Sequence, residues 1–276
     1  SRRGRLQAWR NATGGLIAAV LAWAAGKYII QGNMFGNGYS TTFALAAFLT
    51  TTGLWALQIM LREPEPPNLP PRAKVSERLR DFPRLIASDR GYAFFLVVQM
   101  LATASRIATP FYIIYVSSTM KLTGATLGAL SLAFLGADTL SNLVWGYLGD
   151  KTGFRLVLMF SLLFWVAATV LLMGAHFPLA IFASFFGLGA AQSGYMMAAQ
   201  TMILEFGSRE EMPMRIAISS SAEGVMASVG PIVGGFVADK LGYGIVFGAS
   251  IGFLAAALLV LIALVREPRT ARMAAA

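Results

Sequence analysis

Eight apolar runs of about 20 residues each constrain this chain more than any other feature. They occupy positions 13–32, 41–61, 92–117, 125–148, 156–174, 177–205, 214–238 and 243–265. A helix rising about 1.5 Å per residue needs about 20 such residues to cross the hydrocarbon core of a bilayer. A membrane-spanning strand would show period-two alternation, and none of the runs does. The sequence therefore predicts an all-α membrane protein, a multi-pass transmembrane helical bundle with eight spans in this chain. The charged fraction of 13% fits that reading, since soluble domains carry about 25%. The chain has no cysteine, which excludes disulfides, thiol catalysis and cysteine-ligated metal centres.

The net charge of +9 is explained by where the basic residues fall. Of the 22 Lys and Arg residues, 18 lie in the two termini and the loops on one side: Arg2, Arg3, Arg5 and Arg10, seven in the stretch 62–91, then Lys151, Arg155, Arg209, Arg215, Arg266, Arg269 and Arg272. The opposite loops hold Lys121 and Lys240, while Lys27 and Arg106 lie within spans. Positively charged loops stay cytoplasmic, so both ends of the chain are expected in the cytoplasm of a cell in whose (inner) membrane the protein sits. Topology accounts for the basic charge, and no nucleic-acid partner is implied. Positions 1–61 carry two spans, 62–91 form a proline-rich cytoplasmic linker, and 92–276 hold six spans and a cytoplasmic tail. Within the linker Val75, Leu79, Phe82 and Ile86 fall at helical spacing among arginines, a pattern suited to a membrane surface and broken at Pro83.

One motif occurs twice. Gly146 to Val157 and Gly235 to Val246 share Gly-x-x-x-Asp-Lys-x-Gly-(Phe/Tyr)-x-(Leu/Ile)-Val at an offset of 89 residues. The first copy falls in a cytoplasmic loop and the second in an external one, so the two segments traverse the membrane in opposite senses. Inverted repeats of this kind build many secondary transporters.

The first copy, Gly146-Tyr-Leu-Gly-Asp150-Lys151-Thr-Gly153-Phe-Arg155, resembles the Gly-x-Leu-Ala-Asp-Arg-x-Gly-Arg signature of the major facilitator superfamily, with Gly149 in place of the usual Ala and Phe154 in place of one basic residue. The resemblance implies a bundle of inverted three-helix repeats, of which this chain covers helices five to twelve, with helices one to four of the same protein needed to complete the path. It further implies that Asp150 and Arg155 are tied to Glu205, at the inner end of a neighbouring helix, as a conformational latch with Gly146, Lys151 and Gly153. The segment Gly230-Pro231-Ile-Val-Gly234-Gly235 resembles the Gly-Pro-x-x-Gly-Gly core of drug and proton antiporters, displaced here to the eleventh helix. Gly224, Ser228, Pro231 and Gly235 form a small-residue stripe suited to close helix packing.

Ionisable groups within spans are costly and mark functional positions. Arg106 and Asp138 fall near the middle of their runs, and Glu223 lies nine residues into its own. Each has polar company at helical spacing: Gln99 and Thr103 with Arg106, Ser141 and Asn142 with Asp138, Ser219 and Ser220 with Glu223. The sixth run adds Gln192, Ser193, Tyr195 and Gln200, whereas 156–174 and 243–265 carry no charge or amide and read as peripheral. The expected substrate or proton path is thus Arg106, Asp138, Asn142, Gln192, Tyr195, Gln200 and Glu223. In it Arg106 contacts an anionic group or neutralises Asp138, and Asp138 or Glu223 exchanges a proton. Tyr112, Tyr115 and Trp145 are candidates for lining the path or anchoring at the interface.

The expected activity is secondary active transport of a small molecule by alternating access, with a proton as coupling ion and export of amphipathic compounds ahead of uptake of a small anionic metabolite or sugar. A non-transporting protein of the same fold is the contrasting reading. No phosphate-binding Gly-x-x-x-x-Gly-Lys-(Ser/Thr) loop occurs. A single histidine and no cysteine leave little for a hydrolase, so no enzyme, cofactor or metal is expected.

Overall fold

The computed structural model describes residues 2–60, 83, 85–206 and 211–267, with side chains from residue 13 onward. The proline-rich linker with Val75, Leu79 and Phe82, and Arg209, Arg269 and Arg272, lie outside the described residues. Those described form nine α-helices and no strand: α1 Arg2–Ala24, α2 Gly38–Met60, α3 Arg90–Ala104, α4 Phe111–Thr119, α5 Gly124–Thr152, α6 Phe154–Met173, α7 Pro178–Glu205, α8 Met212–Leu241 and α9 Tyr243–Leu264. With α3 and α4 sharing the span Arg90–Thr119, eight stretches among the described residues are long and apolar enough to cross a membrane.

The shared span is broken for a local reason. Pro110 has no N–H to give the carbonyl four residues back, and its ring crowds that carbonyl. The carbonyl belongs to Arg106, and it accepts instead from the Thr109 amide at 3.0 Å, which tightens Ser105–Ala108 into a 3₁₀ turn. The Ser105 carbonyl is satisfied by the Ser250 hydroxyl of α9 at 2.8 Å. Irregular backbone at membrane depth requires such protein partners, because lipid offers none.

The core lies between α5, α6 and α7, whose facing surfaces are kept close by small residues. A Cβ on Gly194 would lie 2.9 Å from both Ser161 Cβ and the Trp145 indole, and one on Gly187 would lie 3.0 Å from Ala168 Cβ. The Trp145 indole N–H donates to the Ala190 carbonyl at 2.8 Å. Without a hydrophobic drive between helices in lipid, this close van der Waals fit is what holds them. α9 packs on α3 and α6, and α8 on α3 and the 3₁₀ turn.

The helix α6 buries Leu158, Leu162, Trp165 and Leu172 while exposing Leu163, Phe164, Val170 and Leu171, a one-sided pattern that fits a peripheral position. α1 reaches the bundle through α5: Gly26 and Gly128 face each other across backbones so close that a Cβ on Gly128 would meet the Trp23 carbonyl at 2.7 Å. α2 is exposed along its length and touches the rest mainly through the π-helical turn Ala25–Ile30.

The repeated motif makes the same corner twice. Gly153 (φ 90°, ψ 156°) and Gly242 (φ 85°, ψ 164°) each end one helix and begin the next, and each amide donates to the carbonyl four residues back, Gly149 and Ala238. Positive φ at both explains why the motif requires glycine. The corners sit at opposite ends of the bundle, because α9 begins at Gly242 and runs until its last turn lies against Arg155, beside Gly153.

Candidate substrate and proton site

The 3₁₀ turn fixes Arg106 at mid-span, half-buried against a pair of adjacent aromatic rings. Its guanidinium carbon lies 5.7 Å from the ring centre of Tyr195 on α7 and 5.9 Å from that of Trp165 on α6, and Nη2 lies 3.8 Å from the sulfur of Met196. The two rings meet edge to face, 6.1 Å apart at 77°. Cation–π contacts of this kind contribute roughly 0.5–2 kcal/mol each. They hold a guanidinium without neutralising it.

About two helical turns below on α3, Gln99 faces Glu223 of α8. A single carboxylate oxygen, Glu223 Oε1, accepts from the Tyr195 hydroxyl at 2.8 Å and from Gln99 Nε2 at 3.2 Å. Tyr195 and Gln99 are each 1% exposed. Tyr195 thus presents its ring face to the cation and its hydroxyl to the carboxylate, and stands between them.

Two cavities flank this arrangement. One of about 360 Å³ is lined by Arg106, Thr103, Gln192, Phe134, Met226 and Pro231 among others. The other, of about 340 Å³, is lined by Glu223, Gln99, Ser219, Ser220, Gln200 and Met196 among others. The first contains a cation and no carboxylate, the second a carboxylate and no cation. Among the expected path residues, Arg106 and Gln192 therefore meet in one cavity, and Gln200 and Glu223 in the other, with Tyr195 between.

Asp138 and Asn142 join neither. Arg106 makes no ion pair with Asp138 among the described residues, so the expected neutralisation is corrected. The next residue, Thr139, is buried on the side of α5 that meets Gly15 of α1, and the Asn142 amide and Ser141 hydroxyl turn back to the Asp138 carbonyl at 2.8 and 3.3 Å. Tyr112, Tyr115 and Trp145 are fasteners rather than path walls: Tyr112 bonds Thr169 at 3.1 Å, Tyr115 the Met173 carbonyl at 2.9 Å, and Trp145 the Ala190 carbonyl.

The signature residues are arranged differently from the expected latch. Arg155 Nη2 donates to the carbonyls of Ile262 at 3.0 Å and Leu261 at 3.4 Å, at the end of α9, where a helix leaves carbonyls without partners. The Glu267 carboxylate, just beyond α9, accepts from the Arg155 amide at 3.1 Å at the start of α6. Asp150 is exposed, and Lys151 lies over the ring of Tyr147 and donates to its hydroxyl. Glu205 is half-buried at the end of α7. The arrangement clasps α6 to α9, and the described ion pairs include none between Asp150, Arg155 and Glu205.

An ion pair stands elsewhere at the same end of the bundle. Arg215, 2% exposed at the start of α8, contacts Asp89 at 2.8 Å and Glu211 at 3.0 Å, and lies 4.6 Å from the ring centre of Tyr92. Asp89 also caps α3 by accepting from the Tyr92 amide. Of the glycines in the Gly-Pro segment, Gly234 packs tightly, a Cβ there falling 2.7 Å from Ile107 and 2.9 Å from Phe111. Gly230 lies above Ile107 at 3.8 Å, and Gly235 touches Phe111 at 4.0 Å. Gly224 has nothing within 4 Å and Pro231 is exposed, so the close approach follows Gly230 and Gly234, one helical turn apart, and not the expected stripe.

A family model described as Major Facilitator Superfamily matches residues 94–275, more than half of the chain. No curated protein matches it.

Proposed function

The chain belongs to the major facilitator superfamily, and from that premise we propose that it is a proton-coupled exporter of small amphipathic compounds, working by alternating access in the cell (inner) membrane with both described ends cytoplasmic. The observation that supports the coupling is Glu223: a carboxylate within the span, held through one oxygen by Tyr195 and Gln99, with a cavity beside it to which Ser219, Ser220 and Gln200 add polar groups. Ionisable groups at such depth are the usual proton carriers of transporters. As a carboxylate, Glu223 accepts from both donors; once protonated, its affinity for the Tyr195 hydroxyl falls, and the tie between α7 and α8 loosens. That change gives protonation a mechanical effect on two helices that border both cavities.

The test is proton flux in liposomes containing the complete gene product and a trapped pH indicator. Glu223→Gln keeps the shape and the hydrogen bonds of the neutral acid, and is expected to abolish flux driven by a pH gradient. Unaltered flux in that variant would remove Glu223 from the role.

A further inference from the structure

We propose that the cavity at Arg106 binds an organic anion: one carboxylate, or an equivalent single negative group, on an apolar body. This deepens the transport reading above and rests on it for the direction and coupling of movement, though not for binding itself.

Three observations combine. The first is the charge of the cavity. A guanidinium at mid-span is costly unless an anion accompanies it, yet no described carboxylate pairs with Arg106, and its neighbours are a methionine sulfur and two aromatic faces. The carboxylates of the surrounding helices are directed elsewhere. Glu223 accepts from Tyr195 and Gln99 and lines the other cavity, and Asp138 lines neither. A lipophilic cation entering the Arg106 cavity would meet a like charge.

The second observation is shape. The cavity holds about 360 Å³, and its walls combine Phe134, Met226 and Pro231 with the polar groups of Thr103, Thr109 and Gln192. Such a mixture, apolar walls with a few converging polar groups in a few hundred Å³, is the usual make-up of a small-molecule site. A guanidinium presents its donors in a planar fork that matches a carboxylate.

The third is rigidity. Arg106 does not sit on a regular helix whose side chains share one tilt. The Pro110 break, the Thr109 amide and the Ser250 hydroxyl fix the turn, while the adjacent rings of Trp165 and Tyr195 support the guanidinium from one side. Among the described residues the one hydrogen-bond acceptor of this cation is the weakly accepting sulfur of Met196, which an anion's oxygen would outcompete.

The test is binding by the complete gene product in nanodiscs, read by thermal shift and by quenching of tryptophan fluorescence, since Trp165 lies beside the proposed contact. The probes are benzoate, its neutral isostere benzamide, and tetraphenylphosphonium. Benzoate is expected to stabilise the protein and the other two are not. Arg106→Gln is expected to weaken benzoate binding at least tenfold, and Arg106→Lys, which keeps the charge but loses the fork, to weaken it less. Should Arg106→Gln fail to fold, the comparison of benzoate with benzamide on the wild type and on Arg106→Lys decides. Equal binding of benzamide, preference for the phosphonium, undiminished benzoate binding in Arg106→Gln, or no benzoate binding at all would each overturn the proposal. No proton gradient enters this measurement. Loss of proton coupling in Glu223→Gln with benzoate binding intact, or the reverse, therefore separates the two readings.

Discussion

The guanidinium of Arg215 lies 2.8 Å from the carboxylate of Asp89, joining the first turn of α8 to the residue that caps α3. The arginine is 2% exposed and the aspartate 27%, so the cation is removed from water and its partner only in part. Removing one partner of a fully buried pair costs about 3–5 kcal/mol, and the partial exposure of Asp89 puts this pair below that range. Arg215→Ala is expected to lower the unfolding temperature in detergent clearly, and Asp89→Asn to lower it less, since Glu211 still faces the guanidinium. A double-mutant cycle by thermal unfolding checks this, and additive effects would show that the two residues do not interact.

A second prediction compares the two corners of the repeat. Both glycines need positive φ, so alanine at either carries a backbone cost of about 1–3 kcal/mol. At Gly153 a Cβ would also fall 2.5 Å from the Glu267 carboxylate, while at Gly242 it meets nothing within 4 Å. Gly153→Ala is expected to destabilise more than Gly242→Ala, and Glu267→Ala to recover part of the difference. Thermal unfolding of the three single variants and the double variant decides it.

These 276 residues contain no cysteine, so a thiol placed among them is read by comparison with the unsubstituted protein. Asp150 and Asp239 are exposed at opposite ends of the bundle. Asp150→Cys and Asp239→Cys are expected to react with a membrane-impermeant maleimide from opposite sides of sealed vesicles. Labelling of both from one side would contradict the opposed corners.

The contact of α1 with α5 can be checked in the same way. A Cβ at Gly15 would lie 3.1 Å from Thr139 Cβ, close to the roughly 3.5–4.5 Å that a disulfide requires. Mild oxidation of a Gly15→Cys, Thr139→Cys double variant is expected to cross-link it. Failure to cross-link would show that α1 is placed elsewhere.

The fold was largely legible because the rules of lipid are few: run length gave the eight spans, and the spacing of Gly153 and Gly242 gave the repeated corner. The site was legible in part. Arg106 and Glu223 stood out because charges within apolar runs are rare, and Tyr195 came with them by spacing. Their relation did not, since periodicity places residues on one helix but does not tell which helices meet. The Arg106–Asp138 pair was expected for that reason, and among the described residues the two do not pair. Pro110, inside the run 92–117, was an available sign that the helix breaks beside Arg106. Arg215 and Glu267 were missed because at the ends of runs a residue reads as a loop charge. Only the packed structure shows one buried and the other turned back onto a neighbouring helix.

The separation of one cation and one carboxylate into two cavities has an electrical consequence. If one anion leaves for each proton that enters, two elementary charges cross the membrane in the same sense. Each crossing charge is worth about 2.3 kcal/mol per 100 mV, so exchange of this kind draws about 4.6 kcal/mol from that voltage. Were anion and proton to travel together, their charges would cancel and voltage would have no hold on the cycle. Clamping the membrane potential with potassium and valinomycin thus reads out the direction of transport: an exporter built on Arg106 and Glu223 quickens when the interior is made negative.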